Sequence, residues 1–186
     1  FGIGISRNVG DLLQSYVRGK LSLVMDWGVL NNGKIVHDLI RNLEGSFEIV
    51  KIFENKISEP DYDYLDDCNT EFANLETDGL IGIGGGSTLD LTKGLAVLMR
   101  NPGKAIDYRG FDLVKYPPPP VIAIPSTAGT GSEVSPSAVF TDKQEGRKLG
   151  INTDYNRPVL AILDPLLTLS CPRNVTISSA MDALTH

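Results

Sequence analysis

Five short apolar runs alternate along the chain with segments that carry apolar residues at helical spacing. The runs cover residues 21–25, 48–53, 80–83, 121–124 and 159–163. Bare apolar runs of this length are typical of strands that are buried on both faces of a sheet. The pattern therefore predicts five strands, of which the first ends at Asp26.

Apolar residues between these runs repeat every three or four positions and predict four helices. Their predicted buried faces are Leu12, Leu13, Tyr16 and Val17; Val36, Leu39, Ile40 and Leu43; Leu65, Cys68, Phe72 and Leu75; and Leu91, Leu95 and Leu98. Alternating strands and helices predict an α/β fold with a doubly wound, mostly parallel sheet. The tetraproline at residues 117–120 is predicted to be an extended lead into the following strand.

The pattern changes near Ser170, where the strand signals stop and a helical pattern begins. This change predicts two domains. Residues 1–170 would form the α/β domain, and residues 171–186 would be the start of a truncated, all-helical second domain.

Composition and charge narrow the classes of partner. The 186 residues carry a net charge of −6, and an acidic chain without a basic stripe argues against nucleic acid and anionic membranes as partners. No apolar run approaches the roughly 18 residues of a membrane span. The two cysteines do not make a disulfide framework, so a reducing cytoplasm is the expected location.

A glycine loop follows the third predicted strand. Gly84, Gly85 and Gly86 precede Ser87, which is a candidate helix N-cap. Glycines at a strand-to-helix junction let backbone N–H groups approach an anion, and the helix N-terminus adds positive partial charge. The motif predicts a pyrophosphate site, and the alternative is a tight turn without a ligand.

A hydroxyl-rich loop, residues 125–133, follows the next apolar run. Its side chains include those of Ser126, Thr127 and Thr130, which suit phosphate and ribose oxygens, and ligands of open α/β sheets bind at the carboxyl ends of strands. Asp26 could accept hydrogen bonds from an adenosine ribose. Because Asp26 precedes the glycine loop, this is not the ordinary dinucleotide fingerprint, in which the acid follows the glycines.

The last six residues, 181–186, place Asp182 and His186 four positions apart. On a helix these positions share one face, so both side chains could reach one metal ion. A protein metal site normally needs one or two further ligands. The sequence therefore predicts half of a metal site.

Taken together, these residues resemble the iron-containing (group III) alcohol dehydrogenase family, of the dehydroquinate synthase-like superfamily. The resemblance is carried by residues 1–4, Asp26, residues 84–87 with Asp90 and Lys93, residues 124–134, residues 164–165 and residues 181–186. It implies an N-terminal nucleotide-binding domain of Rossmann-like form, a C-terminal helical domain, and an active site in the cleft between them.

The resemblance also implies roles for single residues. Asp26 would face the adenosine ribose and favour NAD over NADP, and the glycine loop with Ser87 would hold the pyrophosphate. Ser126, Thr127 and Thr130 would line the cofactor, Lys148 would contact the nicotinamide ribose, and Asp182 with His186 would be the first two metal ligands. The metal would be iron, with zinc as the alternative.

The implied reaction is NAD-linked hydride transfer between a small-molecule alcohol and its aldehyde or ketone, with a divalent metal as Lewis acid. Two alternatives stay open: a glycerol dehydrogenase-like polyol dehydrogenase, and a non-catalytic nucleotide-binding module if the gene ends at His186. Because two ligands cannot fix a metal, we expect the chain alone to have little activity. Apolar surface left for the second domain predicts self-association, for example as a homodimer.

Overall fold

A computed structural model describes residues 1–32 and 34–185 of the chain. Its main sheet has five parallel strands in the spatial order β2-β1-β3-β5-β8. Their bounds are β1 Lys20–Asp26, β2 Glu48–Asn55, β3 Gly79–Gly84, β5 Val121–Pro125 and β8 Leu160–Ala161. The five predicted strands and their parallel pairing are confirmed.

Six α-helices in the described part of the chain precede, connect or follow these strands. They are α1 Val9–Leu13, α2 Trp27–Asn32, α3 Lys34–Glu44, α4 Tyr62–Asn69, α5 Gly86–Arg100 and α6 Arg173–Thr185. Short 3₁₀ helices cover Ile5–Asn8, Ala105–Tyr108, Asp154–Asn156 and Pro165–Thr168. Among the described residues, no helix is long and apolar enough to cross a membrane.

The helices cover both faces of the main sheet. On one face, Leu23 and Ile81 pack in an apolar cluster with Leu39 of α3. On the other, Leu80 packs with Leu65 of α4 and Leu95 of α5. The inner strands β1, β3 and β5 lie between these helix layers and bury nearly every side chain. This burial explains why their sequences read as almost unbroken apolar runs. The fold is the doubly wound α/β class that the alternation predicts.

Two predicted segments are shorter in the structure. The first helix ends at Leu13. Of its predicted buried face, Leu13 and Val17 are buried, whereas Leu12 and Tyr16 are exposed. β8 covers only Leu160–Ala161 of the predicted 159–163, since it is an edge strand that pairs with β5 alone. The tetraproline leads directly into β5, as predicted.

The structure also has a second, three-stranded sheet, which the apolar pattern did not predict. It contains β4 Gly110–Phe111, β6 Ser137–Asp142 and β7 Arg147–Asn152 in the order β4-β7-β6. β6 and β7 form an antiparallel hairpin, and β4 runs parallel to β7. This hairpin follows the segment after β5, and the backbone N–H of Val139 on β6 donates to Asp90 of α5.

Candidate functional site

The carboxyl ends of β1 and β3 form the point where the strand order of the main sheet reverses. The chain runs outward from β1 to β2 and then returns to the other side of β1 with β3. In open α/β sheets, the crevice at such a switch point is where ligands bind. Asp26 is the last residue of β1 and Gly84 the last of β3, so both predicted site residues lie at this point.

Gly84 and Asp26 are in close contact across the switch point. A Cβ atom on Gly84 would lie 2.9 Å from the Cβ of Asp26 and 2.8 Å from the Cβ of Thr88. These distances are shorter than van der Waals contact, so only glycine fits here. The Asp26 carboxylate accepts a hydrogen bond from the backbone N–H of Val29 at 3.2 Å, which orients it at the start of α2.

The glycine loop leads directly into α5. The helix begins at Gly86, and Gly85 is its N-cap in an extended conformation without a side-chain cap. The prediction of Ser87 as N-cap was wrong, because the helix starts before it. The Ser87 hydroxyl instead donates to the backbone oxygen of Ser58. With no capping side chain over it, the first turn of α5 presents backbone N–H groups and positive partial charge to an anion.

The hydroxyl-rich loop packs directly on the glycine loop. The backbone N–H of Ser126 donates to the Gly84 oxygen at 2.9 Å. A Cβ on Gly85 would lie 3.4 Å from the Cγ2 of Thr127, and a Cβ on Gly86 would lie 2.9 Å from Oγ1 of Thr130. The structure thus brings together the two loops that the sequence predicts as one nucleotide site.

Thr127 carries a further sign of a ligand. Its Oγ1 atom is buried and has no hydrogen-bond partner among the described residues. A buried hydroxyl without a partner is costly, and this one lies against Gly85 of the glycine loop. We call the glycine loop, residues 84–87, and the hydroxyl-rich loop, residues 125–133, together the cradle. A phosphate or ribose oxygen at the cradle would supply the missing partner, so the residues present fit the pyrophosphate of a dinucleotide.

Asn55, at the end of β2, supports the site although the sequence pattern did not identify it. This buried side chain donates to Oγ1 of Thr88 at 3.0 Å and to the backbone oxygen of Ile57 at 3.0 Å. It therefore holds the first turn of α5 against the segment after β2. The available signal was a polar residue that closes a strand at the carboxyl edge of the sheet.

Lys148 lies on β7, at the flank of the glycine loop. Its ammonium binds the carboxylate of Glu59 at 2.9 Å, and the neighbouring Ser58 accepts the hydrogen bond from Ser87. Both charged side chains are more than half exposed, so their pairing contributes little to stability.

Only one of the two predicted metal ligands lies within the described residues. Asp182 lies on α6 and is partly exposed, whereas His186 lies outside the described residues. In the described part of the chain, no group of three or more His, Cys, Asp or Glu side chains could hold a metal ion. The described donors therefore do not fit a metal on their own, because protein sites use at least three ligands.

α6 nevertheless contacts the hydroxyl-rich loop. A Cβ on Gly129, in the hydroxyl-rich loop, would lie only 2.0 Å from the backbone oxygen of Ser179. Ser179 is the buried residue of α6 and lies one turn before Asp182. The hydroxyl-rich loop therefore contacts both the glycine loop and the helix that carries Asp182.

A doubly wound parallel sheet with a glycine loop at its switch point defines the Rossmann-like α/β class of protein. Comparison with known families then gives the particular family. The profile described as iron-containing alcohol dehydrogenase matches residues 1–165, and the chain belongs to that family.

Individual relatives agree with this assignment. The NAD-dependent methanol dehydrogenase of Bacillus methanolicus is 32% identical over 185 residues, which is all of this chain and 48% of that protein. An iron-containing alcohol dehydrogenase structure from Thermotoga maritima is 33% identical with a TM-score of 0.87, covering 100% of this chain and 51% of that one.

A third relative was solved with a nucleotide. The sulfoacetaldehyde reductase structure from Bifidobacterium kashiwanohense, in complex with NAD⁺, is 29% identical with a TM-score of 0.81 and covers 98% of this chain and 48% of that one. The chain thus spans about half the length of the relatives it matches.

Proposed function

We propose that this chain binds NAD at the switch point of its main sheet, as the cofactor-binding part of an oxidoreductase that interconverts an alcohol and its aldehyde or ketone. The observation that carries the proposal is the contact between the glycine loop and the hydroxyl-rich loop. Family membership and the NAD-dependent relatives support it at the level of an NAD-linked dehydrogenase.

In this proposal, each loop recognises one part of the cofactor. The N–H groups of Gly85, Gly86 and Ser87 would bind the pyrophosphate at the start of α5, and Ser126, Thr127 and Thr130 would donate to phosphate or ribose oxygens. Asp26 would accept hydrogen bonds from the adenosine ribose and repel a 2′-phosphate. Lys148 would leave Glu59 to bind the nicotinamide ribose.

The chain's residues would orient the nicotinamide ring rather than transfer protons themselves. Hydride transfer needs the carbinol carbon held against that ring, and an anchored pyrophosphate and ribose fix one of the two partners. The predicted metal ligands, Asp182 and His186, remain a proposal. A divalent metal would act there as a Lewis acid, with iron or zinc as candidate ions.

Isothermal titration calorimetry of the chain with NAD tests this proposal. The informative variant is Gly86→Ala, whose new methyl group would meet Thr130 at 2.9 Å and push the two loops apart. The matched control is Gly2→Ala, because a Cβ there makes only ordinary contact with Ile5 at 3.7 Å. We expect saturable binding by the parent chain and by Gly2→Ala, and binding at least about tenfold weaker by Gly86→Ala.

The proposal fails if the folded parent chain shows no saturable heat with NAD. It also fails if Gly86→Ala binds NAD as tightly as Gly2→Ala does, since NAD would then bind elsewhere.

A further inference from the structure

Lys93 is an ammonium group in the interior of the protein. It lies on the second turn of α5 and is 1% exposed. Burying an unpaired charge is very costly, so a buried lysine persists only where several acceptors surround it. The contacts of Lys93 therefore show what this position requires.

Most acceptors of Lys93 come from the segment that follows the hydroxyl-rich loop. Its Nζ atom lies 3.0 Å from Oγ of Ser132, 3.2 Å from Oγ of Ser135 and 2.8 Å from the backbone oxygen of Ser137. Asp90 lies one turn earlier on α5, with Oδ1 at 3.4 Å. The ammonium thus ties α5 to a segment more than 35 residues away in sequence.

Asp90 makes the second half of this connection. Its Oδ1 accepts from the Ser132 hydroxyl at 2.5 Å, and its Oδ2 accepts from the backbone N–H of Val139 on β6 at 3.1 Å. Ser132 therefore bridges the carboxylate and the ammonium. We call Asp90, Lys93 and Ser132 the buried triad.

The buried triad and the cradle are built from the same two parts of the chain, α5 and the segment that follows β5. α5 contributes Gly86 to the cradle and Lys93 to the triad, seven residues apart. The downstream segment contributes Thr130, which contacts Gly86, and then Ser132. Fixing Ser132 on α5 therefore fixes Thr130 against the first turn of the same helix.

Stability alone is a weak reason for such a pair. Burial raises the pKa of Asp90 and lowers the pKa of Lys93, since both charged forms lose hydration. Replacing a buried ion pair by apolar residues is often neutral or stabilising. Stability alone therefore does not account for Asp90 and Lys93. Their shared contact with Ser132 points instead to positioning of the segment that follows the hydroxyl-rich loop.

We infer that Lys93 is a positioning residue for the cofactor, which acts through Ser132 to hold Thr130 against Gly86 before NAD arrives. The inference rests on the proposed NAD site. A loop that is ordered in advance loses less conformational freedom on binding, so the free energy of binding is more favourable.

The first test compares two serine variants. Ser132→Ala removes the bridging hydroxyl but leaves Asp90 and Lys93 paired with each other. The matched control is Ser6→Ala, because Ser6 is also buried and also donates to a carboxylate, Asp164, at 2.5 Å, away from the cradle. We expect Ser132→Ala to weaken NAD binding by about tenfold at a temperature where both variants are folded, and Ser6→Ala to leave it unchanged.

The second test separates positioning from a general structural effect. Asp90→Leu/Lys93→Met removes both charges together, and Thr130→Ala is then added to it and to the parent chain. If Lys93 acts through the loop, Thr130→Ala weakens NAD binding in the parent but has little further effect in the double variant.

The outcomes are distinguishable. If the parent chain binds NAD and Ser132→Ala matches Ser6→Ala, the inference is overturned while the proposed function stands. Full additivity of Thr130→Ala in the double variant also overturns it. If the parent does not bind NAD, the proposed function fails and the inference fails with it. Should the double variant not fold, the serine pair still decides.

Discussion

Asp26 is the side chain proposed to set the choice between NAD and NADP. The carboxylate stands beside Gly84 at the switch point and is held by the N–H of Val29. That hydrogen bond keeps the charge close to where an adenosine ribose would lie. A ribose with free hydroxyls can donate to it, whereas a 2′-phosphate would meet it with a like charge.

We therefore predict that Asp26→Asn relaxes the preference for NAD over NADP. The amide keeps the shape and an oxygen acceptor but removes the repulsion, so NADP affinity should rise while NAD affinity falls slightly. The ratio of the two affinities, measured by calorimetry, should change by at least about tenfold. An unchanged ratio would show that Asp26 does not face the ribose.

The two cysteines differ in burial, and this gives a second prediction at the residue scale. Cys68 is 4% exposed, and burial raises its pKa to about 11, so its reactive thiolate fraction at neutral pH is about 100-fold below that of an ordinary thiol. Cys171 is partly exposed. Iodoacetamide followed by peptide mass spectrometry should modify Cys171 first.

The control for this prediction is the same labelling in concentrated urea, where both cysteines should react. Equal labelling of Cys68 and Cys171 in the folded protein would show that the helix α4 core is more open than the structure has it.

At the scale of elements, the hydroxyl-rich loop contacts both the glycine loop and α6. Gly129 makes this possible, since its backbone has φ +154° and its Cα lies against the Ser179 carbonyl. We predict that Gly129→Ala destabilises the fold by about 2 kcal/mol or more, because the methyl group would overlap backbone atoms that cannot rotate away. Thermal melting measures the loss.

Gly131→Ala is the matched control in the same loop. Gly131 also has a positive φ, +67°, but a Cβ there meets nothing within 4 Å, so it should lose only about 1 kcal/mol of backbone strain. Hydrogen exchange should show lost protection in residues 173–185 for Gly129→Ala alone. Equal protection of α6 in both variants would contradict this contact.

The sequence predicts some elements well and others poorly for physical reasons. Strands buried on both faces, such as β3, appear as bare apolar runs, and α3 shows its buried face through Val36 and Leu39. The β6–β7 hairpin was missed because only alternate residues, Ala138 and Phe140, are buried. That period-two signal precedes a turn ending in Gly146, which has φ +64°, and together these could have identified the hairpin.

The site divides in the same way. The glycine loop and Asp26 were identifiable because their chemistry is local to one strand end. The roles of Asn55 and Ser132 were not, since each depends on a partner that only the fold brings near: Thr88 is 33 residues from Asn55, and Asp90 is 42 residues from Ser132.

At the scale of the whole molecule, Asp164 ties the chain's first residues to the 3₁₀ helix Pro165–Thr168, of which it is the N-cap. Burial alone would raise its pKa, but hydrogen bonds from the Ser6 hydroxyl and from the N–H groups of Gly4, Leu166 and Ser6 lower the pKa below its ordinary value of 3.8. The folded state therefore prefers the ionised carboxylate more than the unfolded state does.

The sign of the pH dependence follows from this preference. The stabilisation is fully present above the unfolded value near 3.8 and is lost as pH falls through the lower folded pKa. We predict that Ser6→Ala lowers the free energy of unfolding by about 1.5 kcal/mol at pH 7. Urea titrations at pH 7, 5, 4 and 3 should show that the gap between the parent and Ser6→Ala narrows only at the acid end. If the difference in unfolding free energy stayed constant with pH, the Ser6 hydroxyl would not stabilise the ionised form of Asp164.

Metal binding is also a property of the whole molecule, because no single element in the described part of the chain brings together three side chains that could hold a metal ion. Asp182 and His186 are only two predicted ligands, and no group of three or more histidine, cysteine or carboxylate side chains that could hold a metal occurs in the described part of the chain. A divalent ion held by two side chains keeps most of its water and exchanges freely.

We therefore predict that the isolated chain binds NAD without retaining a metal. In equilibrium dialysis against micromolar iron(II) or zinc, the chain should hold well below one ion, and Asp182→Ala should hold the same amount as the parent. The same samples should form no NADH from simple alcohols, since an oriented nicotinamide without a second partner leaves the carbinol carbon unplaced. Retention of one ion per chain that is lost in Asp182→Ala would show instead that this half of the family's length already contains a complete site.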